Sequence, residues 1–140
     1  MGHWMTVLWI LLIAAVGVLA YIRLAPSDPA RWHMRPEFTE NRNMAGGVVR
    51  IVETGPDGLA RLDRIARATP RTSVLAGSVE EGMITYISRT PTIGFPDYTT
   101  VWQDGDRLVV WGRLRFGRSD FGVNRARVEA WLKALQAQSG

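Results

Sequence analysis

The sequence predicts one small α+β domain carried behind an N-terminal transmembrane helix. The expected domain is a curved antiparallel sheet of about five strands with two helices on one face. Three observations carry this expectation. From Trp4 to Ile22 no residue is charged. Between Thr72 and Phe116, short runs rich in β-branched and aromatic residues alternate with turn residues, which predicts strands folding back on one another. Two further stretches repeat apolar residues at helical spacing, one after Pro56-Asp57 and one ending near Gln138. The resulting order, β-α-β-β-β-β-α, places helices against an antiparallel sheet and contains no internal repeat.

The bulk numbers agree with one domain plus an appendage. The chain has 140 residues, a net charge of +4, fourteen glycines and seven prolines. Removing a membrane segment leaves roughly 95–115 residues, enough for one core. Cysteine is absent, which excludes a disulfide framework, a thiolate nucleophile and a zinc–thiolate site. His3 and His33 are the only histidines and flank the apolar run, so no metal site and no cofactor site are expected. Lys133 is the only lysine; every other basic side chain is arginine, the better partner for phosphates and carboxylates.

The N-terminal run reads as a membrane anchor over residues 1–23. Only Thr6 within it is conventionally polar, and at about 1.5 Å per residue it spans roughly 28 Å, close to the hydrocarbon thickness. Trp4, Trp9 and Tyr21 lie toward its ends, where amphipathic rings favour the interface. Val18-Leu19-Ala20 leaves a cleaved signal peptide as the rival reading, although no lysine or arginine precedes the run. Arg23, Arg31 and Arg35 follow it, and the positive-inside rule alone would put the domain in the cytoplasm.

Residues 24–45 read as a linker. Pro26-Ser27-Asp28-Pro29 is a turn cluster, and Trp32 and Met34 either pack back on the domain or lie among headgroups. The domain is assigned to residues 46–140. Val48 to Val52 reads as a strand. Pro56 and Asp57 open a helix whose stripe is Leu59, Leu62, Ile65 and Ala66, and Pro70 ends it. Asp57 with Arg61 and Asp63 with Arg67 are acid–base pairs at helical spacing. Arg61, Arg64, Arg67 and Arg71 make a basic face, open to solvent or to an anionic lipid or acidic partner.

Thr72 to Ser78, Met83 to Arg89, Tyr98 to Gln103 and Arg107 to Phe116 follow as strands, with Asp104-Gly105 as a hairpin turn. In the last strand Leu108, Val110, Leu114 and Phe116 share one face. Val109, Trp111, Arg113 and Arg115 share the other, which the arginines mark as partly wet. A helix from about Gly122 to Gln138 buries Val128, Trp131, Leu132 and Leu135.

The densest stretch joins this last strand to this last helix. Gly117, Ser119, Asp120, Gly122, Asn124, Arg125, Arg127, Val128 and Glu129 fit the pattern Gly-x-Ser-Asp-x-Gly-x-Asn-Arg-x-Arg-Val-Glu. Together with the weaker segment from Arg89 through Phe95 to Asp97, it resembles the signature of a bacterial and plastid family, domain of unknown function (DUF) 1499. The resemblance runs from about Val48 to Leu135. It implies a bacterial inner-membrane protein with its domain on the periplasmic side, against the charge rule, and that placement is the expectation taken here. Many relatives carry a Cys-Pro…Pro-Asn-Cys segment ahead of the domain, where this chain has Asn41-Arg42-Asn43.

The motif is open to three readings. As a lock, Ser119 or Asp120 caps the helix while Gly117 and Gly122 permit tight backbone. As a binding site, Arg125 and Arg127 face an anion while Asp97 or Asp120 faces a cation or amine. As a catalytic site, Ser119 and Asp120 lack a base and an oxyanion hole, so no catalytic residue is assigned. The functional expectation is a non-catalytic interaction or accessory protein, anchored through Trp4 to Ile22 and docking on a larger inner-membrane complex. Its contact surface would be Phe95, Trp111 and the arginines Arg61, Arg64 and Arg67. The alternative is a domain that binds a small amphiphile or lipid headgroup between sheet and helix, with hydrolysis as a further option. Nucleic-acid binding is not expected, because no recognised module accompanies the positive charge.

Overall fold

The structure, a computed structural model, describes residues 2–138. Helix α1, Trp4–Leu24, is the one described helix long and apolar enough to cross a membrane. Its only buried residue is Ile22, near its end. Pro26 follows closely and cannot continue the helix. The single turn α2, Pro29–Trp32, starts where the Asp28 carboxylate accepts the Ala30 N–H at 3.0 Å.

The strands are β1 (Arg42–Met44), β2 (Gly47–Glu53), β3 (Thr72–Ser78), β4 (Met83–Arg89), β5 (Pro96–Asp104) and β6 (Arg107–Leu114). They form a six-stranded sheet in the order β1-β2-β6-β5-β4-β3, with every neighbouring pair antiparallel. Helix α3, Gly58–Arg67, carries the chain from β2 across to the far edge at β3, and helix α4, Val123–Gln138, closes the fold. The architecture is the α+β arrangement expected. The additional strand is β1, which lies in the stretch read as a linker and pairs Arg42 with Val49 and Met44 with Gly47. Three residues carry too little periodicity to announce a strand.

The sheet has two apolar faces, because successive side chains on a strand point to opposite sides. On the first, Val48, Ile84, Tyr86, Val101, Leu108 and Val110 pack against Leu59, Leu62 and Ala66 of α3 and Val128, Trp131, Leu132 and Leu135 of α4. Two polar groups in this core are paired, the Tyr86 hydroxyl donating to Asp63 at 2.6 Å and the Trp131 indole to Thr69 at 2.9 Å, whereas the buried Thr99 hydroxyl has no partner among the described residues. Burial, and then the Asp63 carboxylate, push the Tyr86 hydroxyl far above its ordinary pKa.

The second face is covered in large part by the segment after α1, which buries Val109 and Arg113 and leaves Trp111 and Arg115 part-exposed, so the face is partly wet as expected. Trp32 stacks on Tyr98 with ring centroids 4.0 Å apart, and Phe38 packs against Trp102 and Trp111. His33 hydrogen-bonds Thr85 at 2.8 Å through Nδ1. Arg113 lies beneath this strap, 8% exposed, with its guanidinium 3.7 Å from the Trp111 ring centroid. It donates to Thr100 Oγ1 at 2.7 Å and to the Trp32 carbonyl, and no carboxylate accompanies it among the described residues. Loss of water lowers its pKa to about 10, so it remains charged at neutral pH. The arginine marks a latch. Of the two tryptophan and methionine positions considered for the connector, Trp32 packs on the domain whereas Met34 is exposed.

Trp32→Ala removes both the stacking partner of Tyr98 and the ring above Arg113. It should lower the unfolding free energy of the detergent-solubilised chain by about 2–3 kcal/mol, read from denaturant titration. Met34→Ala should leave the midpoint nearly unchanged.

Candidate functional site

The end of β4, the starts of β3 and β5, the start of β2 and the end of β6 lie at one end of the sheet, and α1 leaves the domain there. Tyr21 meets Phe116 edge-on at 6.0 Å between centroids, and Phe116 in turn lies 6.4 Å from Phe95. Arg23 donates to the carbonyls of Ile93, at 3.0 Å, and Thr92, while Arg89 donates to Ile22 O at 3.3 Å. These contacts seat the last turn of the apolar helix on the loop between β4 and β5.

The motif lies at this same end, and its centre is a capping network. Asp120 Oδ1 accepts the Gly122 N–H at 2.9 Å, and Oδ2 accepts the Asn124 N–H at 3.0 Å and the Asn124 side-chain amide at 2.8 Å. One carboxylate thus serves free donors in the first turn of α4 and fixes a fully buried asparagine. Asn124 Oδ1 then accepts from Arg127 at 3.0 Å, and Arg127 reaches Asp97 at 3.4 Å on β5. Gly117 and Gly122 have φ of +96° and +80°, the backbone freedom expected of them. Burial raises the Asp97 pKa more than Arg127 lowers it, so the carboxyl titrates above its ordinary range.

Beside this network opens an apolar recess of about 310 Å³, walled by Phe95, Leu114, Phe116, Phe121 and Val123, with Thr90, Asp97, Ser119 and Asp120 as its polar lining. Phe121 stands on its rim, 95% exposed and held at φ +54°. A bulky side chain in the left-handed region is costly and is retained here by the Asp120 turn around it. The arrangement suits a ligand with an apolar body and a hydrogen-bond donor directed at Asp97. Ser119 Oγ accepts the Phe121 N–H at 3.2 Å, and His33 lies on the opposite side of the sheet with Thr85. Among the described residues, no group of three histidine, aspartate or glutamate side chains could hold a metal ion.

A family model described as a protein of unknown function (DUF1499) matches residues 23–135. The chain belongs to the DUF1499 family. No curated protein matches the sequence. The match begins at Arg23, upstream of the point near Val48 where the resemblance was legible, and so takes in the strap and its latch. In this DUF1499 chain the residues singled out from sequence separate into groups. Asp97, Ser119, Asp120, Asn124 and Arg127 converge at the recess. Arg125 is exposed and borders a second depression behind Phe121, with Asn43 and Met44. Glu129 turns away and pairs with Arg50 at 2.9 Å.

Phe95 lines the recess, whereas Trp111 is on the strapped face beneath Phe38. Arg61 pairs with Asp57, just before α3, Arg67 pairs with Asp63 on α3, and Arg64 is exposed. Leu114, Phe116 and Val123 were not foreseen as site residues, because they read as ordinary core and helix positions. Phe121, an aromatic between aspartate and glycine in a turn, was the available signal.

Asp120→Ala should cost about 2 kcal/mol of folding stability, since it removes a helix cap and unpairs a buried amide. Asp120→Asn, which keeps one acceptor, should recover part of that loss in the same denaturation measurement. An alanine variant as stable as the parent would remove the lock.

Proposed function

We propose that this DUF1499 chain is a single-pass membrane protein whose domain binds an amphiphile drawn from the bilayer, without transforming it. One observation carries the reading: an apolar recess with a buried carboxylate lies against the residues that touch α1 where it emerges. Residues in contact with Tyr21 and Arg23 stand at the depth of the headgroups when α1 spans the hydrocarbon, so an acyl or isoprenoid-like body has a short path into the recess. The size suits a single chain or ring system more than a whole phospholipid. Asp97 favours a hydroxyl or ammonium head, since Arg127 already takes one side of it and Asp120 is occupied by three N–H donors. Binding without turnover is supported by the position of Ser119, whose hydroxyl serves its own loop.

Docking on a larger inner-membrane complex is the second reading. It shares the anchor and is favoured by Phe121, an exposed aromatic at the membrane-proximal end. It ranks second because Trp111 is covered by the strap and two of the three arginines assigned to the contact surface are paired within α3 or just before it. The side of the membrane is taken as periplasmic, following the family resemblance.

Val123→Trp should fill the recess from its rim while leaving the buried network in place. Purification of the full chain in mild detergent, followed by extraction and mass spectrometry, should find one amphiphile per chain in the parent and little in the variant. Both proteins should melt at similar temperatures. Equal retention by the two, or no amphiphile in either, would sink the binding reading; recovery of a stoichiometric protein instead would favour docking.

The intact mass of the membrane-extracted protein should include residues 2–20, whereas a chain beginning at Tyr21 would show a cleaved signal. Alkaline phosphatase fused after Gly140 should be active; an inactive fusion would move the domain to the cytoplasm.

A further inference from the structure

Three arginines distant in sequence meet on the outer side of the loop between β4 and β5. Arg23 comes from the last turn of α1, Arg71 from the turn before β3 and Arg89 from the end of β4, and together they line an open recess of about 560 Å³. Each guanidinium is oriented by backbone carbonyls. Arg23 donates to Ile93 and Thr92, Arg71 donates through Nε to Arg89 O at 3.2 Å, and Arg89 donates to Gly94 O at 2.9 Å and to Ile22 O. Carbonyls aim a guanidinium but leave its charge uncompensated. Among the described residues none of the three forms an ion pair, whereas Arg50, Arg61, Arg67, Arg107 and Arg127 all do. Five of the sixteen arginines are thus paired with carboxylates; Arg23, Arg71 and Arg89 are among those that are not, and these three line one recess.

That place is where the apolar helix ends. The backbone there is also held out of its relaxed state: Arg71 has φ +55° and Thr92 has φ +69°. For a β-branched residue the left-handed region is a genuine outlier, and surrounding contacts must hold it. The Ser73 and Thr92 side chains add hydroxyl donors to the lining. Convergent guanidinium forks with hydroxyls beside them match the oxygens of a phosphate, which arginine binds through paired, charge-assisted hydrogen bonds.

We propose that the Arg23–Arg71–Arg89 recess is a phosphate site that seats the headgroup of an anionic phospholipid from the membrane crossed by α1. The assignment to lipid follows from the position of Arg23 in the final turn of the membrane helix. It rests on α1 remaining in the membrane, as proposed above, and not on occupancy of the apolar recess. The two recesses lie on either side of the loop after β4 and share Thr90: Phe95 and Asp97 line the apolar side, Arg23 and Arg71 the basic side.

The test uses the full chain, its mass confirming that α1 is retained, in a neutral maltoside detergent. Phosphatidylglycerol or phosphatidylcholine is added and bound lipid is counted by native mass spectrometry. Phosphatidylglycerol should bind more tightly than phosphatidylcholine, and Arg71→Gln should weaken it about fivefold, with a further similar loss on adding Arg23→Gln. Arg71→Lys, which keeps the charge, should retain most of the binding and shows that the site survives substitution. Arg64→Gln, an exposed arginine on α3, should have no effect; a loss equal to that of Arg71→Gln would reduce the site to diffuse charge and overturn it. Equal binding of the two lipids would also overturn it. Displacement of phosphatidylglycerol by millimolar inorganic phosphate would reassign the recess to a soluble phosphate and refute the lipid source. Because Val123→Trp lies in the other recess, it should leave phosphatidylglycerol binding unchanged, so either proposal can fail without the other.

Discussion

The constraint on which the rest of the structure depends is that this sheet is apolar on both faces while its two long domain helices cover only one. Exposed, the side of Val49, Trp102, Val109 and Trp111 would be a large apolar patch, of the kind monomeric domains avoid. The segment following α1 covers it, and Arg113 makes the cover specific. A charge buried without a carboxylate must have its lost water replaced by hydrogen-bond acceptors and ring faces. Here the Thr100 hydroxyl, the Trp32 and Trp111 carbonyls and two indole rings do this. The strap is therefore held by an interaction that fails if it shifts, and the helix ahead of it is held at one end of the sheet.

That placement makes the motif meaningful. On its own, the Asp120–Asn124–Arg127–Asp97 network is a means of pinning a helix start to the middle of a sheet. Joined to the exit of α1, the same network becomes the polar floor of an apolar recess beside the end of the apolar helix. Both recesses at this end carry residues in left-handed backbone, Phe121 in one and Arg71 and Thr92 in the other. The three described non-glycine residues with positive φ therefore all lie at this end of the sheet.

Much of the fold was legible in the sequence because its signals are local. Strand periodicity at β3, β4 and β6, the stripes of α3 and α4, and the apolar run of α1 each occupy one stretch of chain. The cap was legible for the same reason, since Asp120 and the donors it serves lie within four residues of one another. β1 was not, because a three-residue edge strand exists only through its partner. The burial of Arg113 was not legible because arginines normally mark solvent, and Arg113 departs from that rule only in the company of Trp32, 81 residues away in sequence.

The sequence by itself determined the membrane-length helix, the α+β class, the family signature and the cap at the head of α4. These follow from hydrophobic period and from hydrogen bonds between near neighbours, which need no knowledge of the rest of the chain. Only the tertiary structure decided that the connector is a cover, that Phe95, Phe116, Phe121 and Asp97 share a recess, and that Arg23, Arg71 and Arg89 form one cationic pocket. Those groupings arise where an antiparallel sheet brings alternate strand ends together, and chain order does not reveal which ends will share a neighbour until the register is set.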